Sequence, residues 1–453
     1  MLQPLVFEAR ARDGEYVDQK KFDMIHVSRK IAQLEKEYDI RFDPECPVPD
    51  DPTLAKSVFE AGLQFAEETG LLLMDENRVV KYSRDEILEA LKNARKELVL
   101  GWGKDARTLR ARKPGDRDKP FVFGGLAGTP TPLEIFYETA LSYAQEPLVD
   151  AIDHGSISEV YGIRVKNYAP SEALAGIEEM RAIRRALENA GRPGMHVLGA
   201  ESSVTSIASL ATMSTGLLRK GDAQLLPILN EMKTDYNQLT KALAGLVNGI
   251  HGAALIDPIV GGFARGPAGS SIASIAETIM ALLAYGASYF LIHPVHITKQ
   301  ATTTAECMWI ESVVGQANVY LQLPLVADIW PAFGTGTREL LYEIAANTVA
   351  SVASGMNILG PTPTAGSVPH GSGLEARFMA EIALKVSKEG LKPGDACEIV
   401  KELYKKYGDK LASPDRGKAF GEVYDLKRVV PKSEWLEVYI DVKKELGDLG
   451  VIE

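Results

Sequence analysis

The sequence predicts an α/β protein, a (β/α)8 TIM barrel with helical extensions at its N-terminal and C-terminal ends. Short apolar runs recur from Pro120 to about residue 362, and each ends in Gly, Ser, Asn, Asp or Glu. Helical stretches such as 170–190 and 271–285 separate most of these runs. Eight repeats of a strand and a helix in a segment of this length match a closed barrel better than an open, doubly wound sheet.

Eight apolar runs are the candidate strands of the barrel. They are rich in branched and aromatic residues, and they are short enough to be strands that are buried on both faces. In chain order the candidate strands are 121–123, 156–160, 195–198, 225–229, 250–256, 289–292, 319–323 and 356–359. The active residues of such a barrel follow the carboxyl ends of its strands, so the residues after these runs are the first site candidates.

The two ends of the chain differ in composition and periodicity from the barrel segment. Residues 1–118 are rich in charged residues with helical periodicity, and Ser83-Arg-Asp-Glu86 is a capping box that predicts the start of a helix. Residues 113–120 contain two prolines and a glycine, and they are the expected exit loop of this helical extension. The barrel core is expected at 119–372, and 373–453 are expected to be helices that pack on it.

Net charge and cysteine content exclude several classes of protein. The 453 residues include 50 Lys and Arg against 61 Asp and Glu, a formal net charge of −11. A nucleic-acid-binding protein usually presents a basic surface, so nucleic acid is not an expected partner. The cysteines Cys46, Cys307 and Cys397 form no Cys-x-x-Cys pair, which argues against a disulfide framework or a cysteine-rich zinc site. A reducing, cytoplasmic location is therefore expected.

The longest apolar stretch of the chain, 275–292, is not expected to cross a membrane. It contains Glu277 and is interrupted by Gly286 and Ser288. A membrane-spanning helix needs about 20 consecutive, predominantly apolar residues. The pattern instead indicates a buried helix followed by a strand, and no membrane partner is expected.

Four polar residues follow the predicted third, fourth and fifth strands. Glu201 follows the third strand, Asn230 and Glu231 follow the fourth, and Asp257 follows the fifth. In a barrel these positions reach the mouth, so all four are candidate catalytic residues. Asn and Asp are also common at helix starts and in turns, which leaves a structural role open for each of them.

Two histidines and a tryptophan follow the predicted sixth and seventh strands. His293 and His296 lie in His-Pro-Val-His, where they could orient a substrate, bind a metal or simply pack. Spacing alone supplies no third metal ligand, so we assign no metal site. Trp330 follows the seventh strand, and an aromatic face at a barrel mouth can hold a methylated cation. Core packing is the commoner role of such a side chain.

Nine stretches, spread over most of the chain, together resemble one enzyme family. They are Val79-Val-Lys-Tyr, Lys92-Asn-Ala-Arg-Lys-Glu-Leu-Val-Leu-Gly, Gly191-Arg-Pro-Gly-Met, Asn230-Glu-Met-Lys, Gly261-Gly-Phe-Ala-Arg-Gly, Pro294-Val-His-Ile, Ser354-Gly-Met-Asn-Ile-Leu, Gly373-Leu-Glu-Ala-Arg-Phe-Met-Ala-Glu and Ala412-Ser-Pro-Asp-Arg-Gly-Lys-Ala-Phe. In order and spacing they resemble the archaeal monomethylamine methyltransferases, which pass a methyl group from an amine to a corrinoid protein. The resemblance implies a TIM barrel with helical additions that assembles as a homo-oligomer.

The resemblance also implies that the pocket of this chain differs from that of the family. The family's defining residue is pyrrolysine, and Leu198 stands at the matching position. Acidic positions around the pyrrolysine match Leu225 and Leu255, and a glutamine of the family falls at or beside Ile329. Several positions that are polar in the family are thus aliphatic in this chain, which indicates a rebuilt pocket in a relative without pyrrolysine. The residues expected to contact the substrate are Leu198, Leu225, Leu255, His293, His296, Ile329 and Trp330.

By resemblance, the chain is expected to move a methyl group from a small methylated compound to Co(I) of a separate corrinoid protein. That partner supplies the corrinoid, so no cofactor is expected in this chain. A quaternary ammonium or sulfonium substrate carries a fixed charge and leaves as a neutral group, so it does not need pyrrolysine. Two alternatives stay open: an inactive scaffold subunit that binds a corrinoid protein, and an unrelated barrel enzyme that uses His293, His296 and an acidic residue with a metal.

Overall fold

The computed structural model describes residues 2–448 and 450–452. Eight parallel strands form a closed barrel in which each strand pairs with the next and the last pairs with the first. The strands are β1 Val122–Gly124, β2 Ala151–Asp153, β3 His196–Gly199, β4 Ala223–Pro227, β5 His251–Ile256, β6 Tyr289–Ile292, β7 Leu325–Asp328 and β8 Asn357–Leu359. The TIM barrel predicted from the sequence is confirmed.

Eight helices surround the strands. They are α1 Leu133–Ala144, α2 Pro170–Asn189, α3 Ile207–Ser214, α4 Tyr236–Asn248, α5 Pro267–Tyr285, α6 Ala305–Leu321, α7 Arg338–Ala353 and α8 Gly373–Glu389. Helix α8 packs against both α7 and α1, so it closes the ring of helices. The expected boundary at residue 372 therefore falls just before the eighth helix, which belongs to the barrel.

Two of the eight predicted strands are wrong in position. The run 156–160 lies beyond β2, and its last two residues, Glu159–Val160, pair with Ile163–Arg164 in a small hairpin outside the barrel. The run 319–323 is largely the end of α6, and the strand begins at Leu325.

The error at the seventh strand has a physical cause. Helix α6 is buried on nearly all sides, so its sequence lacks the polar stripe that marks a surface helix. A short apolar run at the end of such a helix cannot be told from a buried strand by periodicity.

The N-terminal extension contains β-structure as well as helices. Its helical segments are Gln3–Ala11, Gln19–Lys21, the π-helical Phe22–Arg29, Lys30–Glu37, Pro52–Thr69, Arg84–Asn93 and the 3₁₀ turn Gly103–Asp105. A four-stranded sheet joins Glu15–Tyr16, Arg78–Val80 and Leu71–Leu73 to Lys233–Thr234 of the barrel segment. The capping box at Ser83 and Glu86 is present as predicted. The prediction that this extension is entirely helical is therefore wrong.

A hairpin of Glu97–Leu100 and Arg107–Arg110 crosses the amino-terminal end of the barrel. Its side chains Leu98, Leu100 and Leu109 belong to the same apolar cluster as the barrel interior. Backbone N–H groups of Gly101 and Trp102 donate to carbonyls in the loops before β4 and β3. The hairpin therefore closes the bottom of the barrel, and the opposite end is left as the mouth.

Helix α5 is long and apolar enough to cross a membrane by length and composition alone, but most of it is buried inside the protein. The extension helix Pro52–Thr69 packs closely against it. A Cβ atom on Gly62 would lie 2.4 Å from Cβ of Ile275, so only glycine allows this approach. Helix α5 is therefore a core helix of the barrel.

The C-terminal segment covers the barrel beside α7. Its elements are helices Pro393–Tyr404, Phe420–Val423 and Ser433–Asp448, the 3₁₀ turn Gly408–Lys410 and the paired strands Tyr424–Asp425 and Val430–Pro431. Pro393–Tyr404 makes the most extensive contact with α7.

Candidate active site

The inner wall of the barrel ends in an apolar floor at the mouth. Side chains along a strand alternate between the interior and the helices. Leu198 on β3, Leu225 on β4 and Leu255 on β5 all belong to the interior apolar cluster. Leu198 is fully buried, whereas Leu225 and Leu255 remain partly exposed. The structure thus brings these three predicted residues together.

Ile329 and Trp330 lie on opposite faces after β7. Ile329 is fully buried in the apolar cluster outside the barrel interior, which includes residues of α7 and α8. Trp330 packs against the interior cluster and is partly exposed at the mouth. Because neighbouring side chains alternate, Trp330 joins the leucine floor and Ile329 does not.

Four carboxylates stand above the floor, at the ends of different strands. They are Asp153 at the end of β2, Glu201 after β3, Asp257 after β5 and Asp328 at the end of β7. One oxygen each of Asp153, Glu201 and Asp257 is buried with no hydrogen-bond partner among the described residues. Unpaired buried carboxylates are costly, and in a barrel mouth they point to a positively charged ligand.

The electrostatic environment of these carboxylates reflects their burial and crowding. Burial, reinforced by the charges of Glu201 and Asp328, raises the pKa of Asp153 well above its ordinary value. Burial and the charge of Glu179 do the same to the pKa of Glu201, against the attraction of Lys241. Burial raises the pKa of Asp257 to about 7, although His293 opposes the shift. The mouth is therefore poised to accept positive charge.

His293, Asp328 and Trp330 form one contact unit at the edge of the mouth. Nδ1 of His293 lies 3.1 Å from Oδ2 of Asp328, close enough for an ion pair although not aligned as a hydrogen bond. Nε1 of Trp330 donates to Oδ1 of Asp328 at 2.8 Å. The His293 ring meets Trp330 edge-on at 4.7 Å. Asp328 is thus fixed by two neighbours.

Asn230 and Glu231 bind the loop that carries Asp257. Asn230 donates through Nδ2 to the backbone carbonyl of Asp257. Glu231 accepts a hydrogen bond of 3.1 Å from the N–H of Ile259, and its other oxygen has no partner among the described residues. Burial raises the pKa of Glu231. Burial, reinforced by the charge of Glu231, raises the pKa of Glu277 on α5 well above its ordinary value. Both residues support the Asp257 loop.

His296 lies in a rim strand rather than in the unit of His293. The segment Val295–His296 pairs with Ile259–Val260, and Nδ1 of His296 accepts from the N–H of Thr298 at 3.2 Å. No group of three or more His, Cys, Asp or Glu in the described ranges is arranged to hold a metal ion. The structure therefore offers no support for the metal alternative.

The candidate list from the sequence omitted Asp153 and Asp328. Each is the last residue of its strand, in Ala-Ile-Asp and in Leu-Val-Ala-Asp. The same rule that selected Asp257 would have selected both, had the second and seventh strands been assigned correctly. The two misplaced strands thus account for the two missed carboxylates.

Comparisons with known proteins agree with this architecture. The family model described as Monomethylamine methyltransferase MtmB matches residues 6–451. Monomethylamine methyltransferase MtmB1 of Methanosarcina barkeri is 34% identical over 452 residues, 98% of this chain and 97% of the relative. MtmB2 of Methanosarcina acetivorans is 33% identical over 451 residues, again 98% of this chain and 97% of the relative.

Solved structures show the same relationship. The crystal structure of the Methanosarcina barkeri monomethylamine methyltransferase superposes with a TM-score of 0.95 at 33% identity, covering 99% of this chain and 98% of that one. A crystal structure of a hydroxylamine complex of MtmB has the same score, identity and coverage. Sequence and fold thus agree over nearly the whole length, and the chain belongs to the monomethylamine methyltransferase family and is a methyltransferase.

Proposed function

We propose that this methyltransferase takes a methyl group from a small methylated ammonium compound and delivers it to Co(I) of a separate corrinoid protein. The observation that carries the substrate side is a leucine floor beneath buried carboxylates, three of which each have one oxygen without a hydrogen-bond partner among the described residues. Leucine side chains suit methyl groups, and carboxylates suit the positive charge that the methyl groups surround. Trp330 adds an aromatic face to the same opening.

The proposal includes Leu198 in place of the pyrrolysine of the relatives, an assignment that rests on the resemblance. Leu198 is aliphatic and fully buried, so it offers no electrophile to bind an amine. A quaternary ammonium or sulfonium substrate does not need one, because it leaves as a neutral amine or sulfide when the methyl group departs. We therefore expect such a cation to be preferred over monomethylamine.

The corrinoid protein supplies the nucleophile, Co(I), and this chain supplies the binding site for the methyl donor. Its leucine floor and carboxylates bind and orient the substrate cation at the mouth. A partner protein seated over the mouth excludes water from a very reactive centre. The proposal further includes a cytoplasmic location and a homo-oligomeric assembly, in line with the family resemblance.

The test is a methyl-transfer assay with a reduced corrinoid protein and a panel of methyl donors. The panel holds mono-, di- and trimethylamine, tetramethylammonium, betaines and methyl sulfides, and absorbance reports methylation of the corrinoid. Asp257→Asn removes a carboxylate from the mouth. Glu398→Gln removes an exposed charge from the helix Pro393–Tyr404 and controls for the change in overall charge.

Turnover of a quaternary or sulfonium donor, lost in Asp257→Asn and kept in Glu398→Gln, supports the proposal. Turnover of monomethylamine would show that pyrrolysine is dispensable and that the leaving-group argument is wrong. Binding of the corrinoid protein without turnover of any donor would favour the alternative of a scaffold subunit.

A further inference from the structure

His293 is the cationic side chain nearest to the carboxylate of Asp328. Among the ion pairs of the described residues, Asp328 pairs with His293. Both side chains are almost completely buried, at 6% and 4% exposed. A buried carboxylate needs a compensating charge, because the interior solvates an isolated ion poorly. The imidazole of His293 can supply that charge when it is protonated.

The surroundings of His293 are acidic on several sides. Asp257 after β5 faces the imidazole, and Asp328 faces it from β7. Around Asp328 stand Asp153 from β2, Glu201 after β3 and Glu311 from α6. Lys241 from α4 compensates Glu201. The pocket therefore holds more carboxylates than cations, and His293 is the titratable cation that faces Asp328.

We propose that His293 is a proton-carrying counter-ion which the substrate cation displaces. In the empty site, protonated His293 neutralises Asp328. When a methylated cation enters beside Asp328 and Trp330, the imidazole releases its proton to solvent, so one positive charge replaces another. Two unit charges a few ångströms apart in a poorly solvated pocket repel strongly, which makes this exchange favourable. The inference rests on the proposed function, since it takes a methylated cation as the ligand.

The titration behaviour of His293 is consistent with this exchange. Burial lowers the pKa of His293, but the charges of Asp328 and Asp257 outweigh burial and raise it above its ordinary value. A raised pKa favours the protonated form of His293 in the empty site. Substrate affinity should consequently increase as the pH rises through the pKa of His293, by up to about tenfold per pH unit below that pKa.

The experiment is calorimetric titration of the full-length protein with tetramethylammonium chloride, without the corrinoid protein. Titrations at pH 6 to 7 in buffers of different ionisation enthalpy give the number of protons released for each bound cation. We expect release that approaches one proton, and a dissociation constant that falls with rising pH. In ¹⁵N-histidine-labelled protein, the His293 ring resonances should move from imidazolium towards neutral imidazole on addition of the ligand.

Two variants separate His293 from the other titrating groups. His293→Gln should still bind tetramethylammonium, with an affinity that depends less on pH and with little proton release. His251→Gln, at the amino-terminal start of β5 and so at the opposite end of the barrel from the mouth, is the control, and it should release as many protons as the unaltered protein. Unchanged proton release in His293→Gln would overturn the proposal, because the protons would then come from carboxyl groups such as Asp257.

The possible outcomes distinguish a failure of this inference from a failure of the proposed function. Binding of tetramethylammonium without proton release and without movement of the His293 resonances overturns the counter-ion role alone. Failure of tetramethylammonium to bind at every pH overturns the cation site itself, and with it both proposals. Proton release that is lost in His293→Gln supports the exchange even if no corrinoid protein is methylated.

Discussion

The indole N–H of Trp330 donates a 2.8 Å hydrogen bond to Oδ1 of Asp328, two residues earlier in the chain. The bond fixes the carboxylate at the mouth and turns the indole so that it packs on the leucine floor. The Trp330 side chain thereby orients the Asp328 carboxylate and also contributes an apolar face to the mouth. Neither role depends on the chemistry of methyl transfer itself.

Trp330→Phe should weaken substrate binding more than it slows turnover. The variant keeps an aromatic ring but loses the donor, and a hydrogen bond to a charged group contributes roughly 1.5–3 kcal/mol. We expect the KM for the methylated cation to rise about tenfold while kcat changes little. Trp102→Phe, at the opposite end of the barrel, is the control. A fall in kcat at constant KM would assign Trp330 to the transition state instead.

Asp153→Asn should lower activity and raise stability. Asp153 has a buried oxygen with no partner among the described residues, and burial raises its pKa well above the ordinary value. Asparagine removes the carboxyl group that titrates. The free energy of unfolding of the variant should therefore be about 1 kcal/mol higher than that of the unaltered protein at pH 8, with a smaller gain at pH 5. Denaturant unfolding at both pH values measures the gain, and the KM for the cation should rise.

The contrasting variant is Asp222→Asn. Asp222 pairs with buried Arg184, so its neutralisation leaves an uncompensated charge and should cost about 3 kcal/mol. Loss of stability in both variants would contradict the view that Asp153 is held ready for a ligand.

Stability should fall as the pH rises from about 5 to 8. Burial raises the pKa of Glu179, Glu343 and Glu375 to about 7 in the folded protein. The unfolded chain loses these protons near pH 4.3, so the stabilising contribution is complete below that pH and is lost as the pH rises through about 7. Thermal unfolding across this range measures the slope. Glu343→Gln removes one of the three titrating groups and should reduce this slope, and a flat curve for the unaltered protein would refute the prediction.

Cys46 and Cys397 should form a disulfide under mild oxidation. Their sulfur atoms lie 3.1 Å apart although 351 positions separate them in the chain. With diamide as oxidant, the two thiols lose two electrons and two protons and form one bond. Burial and the neighbouring Cys397 raise the pKa of Cys46 to about 12, so the reaction should be slow at pH 7 and faster at pH 9.

Peptide mass analysis without reduction should show residue 46 linked to residue 397. Cys307 is fully buried and should stay reduced, and Cys397→Ser should abolish the link. A cross-link that involves Cys307 would contradict the prediction.

The sequence predicted the barrel because six of its eight strands are apolar runs set apart from helices by turns. It placed β2 wrongly because only two apolar residues, between Asp150 and Asp153, mark that strand. It placed β7 wrongly because α6 lacks a polar face. Asp153 and Asp328 were missed for that reason alone. The inward orientation of Trp330 and the outward one of Ile329 depend on the register of β7, which composition does not reveal. The meeting of Cys46 with Cys397 is a long-range contact that no local pattern encodes.

In the described part of the chain, the hairpin under the barrel covers its amino-terminal end, which leaves the mouth as the route for a small molecule to the leucine floor. Under the proposed function, a donor molecule on the leucine floor would enter by the mouth, and the demethylated product would leave by the same opening. Any acceptor protein seated there blocks both passages. Steady-state kinetics should therefore be compulsorily ordered, with the small donor bound before the acceptor protein and the small product released after the acceptor departs. Product-inhibition patterns test this order, and random addition would require a second passage through the barrel wall.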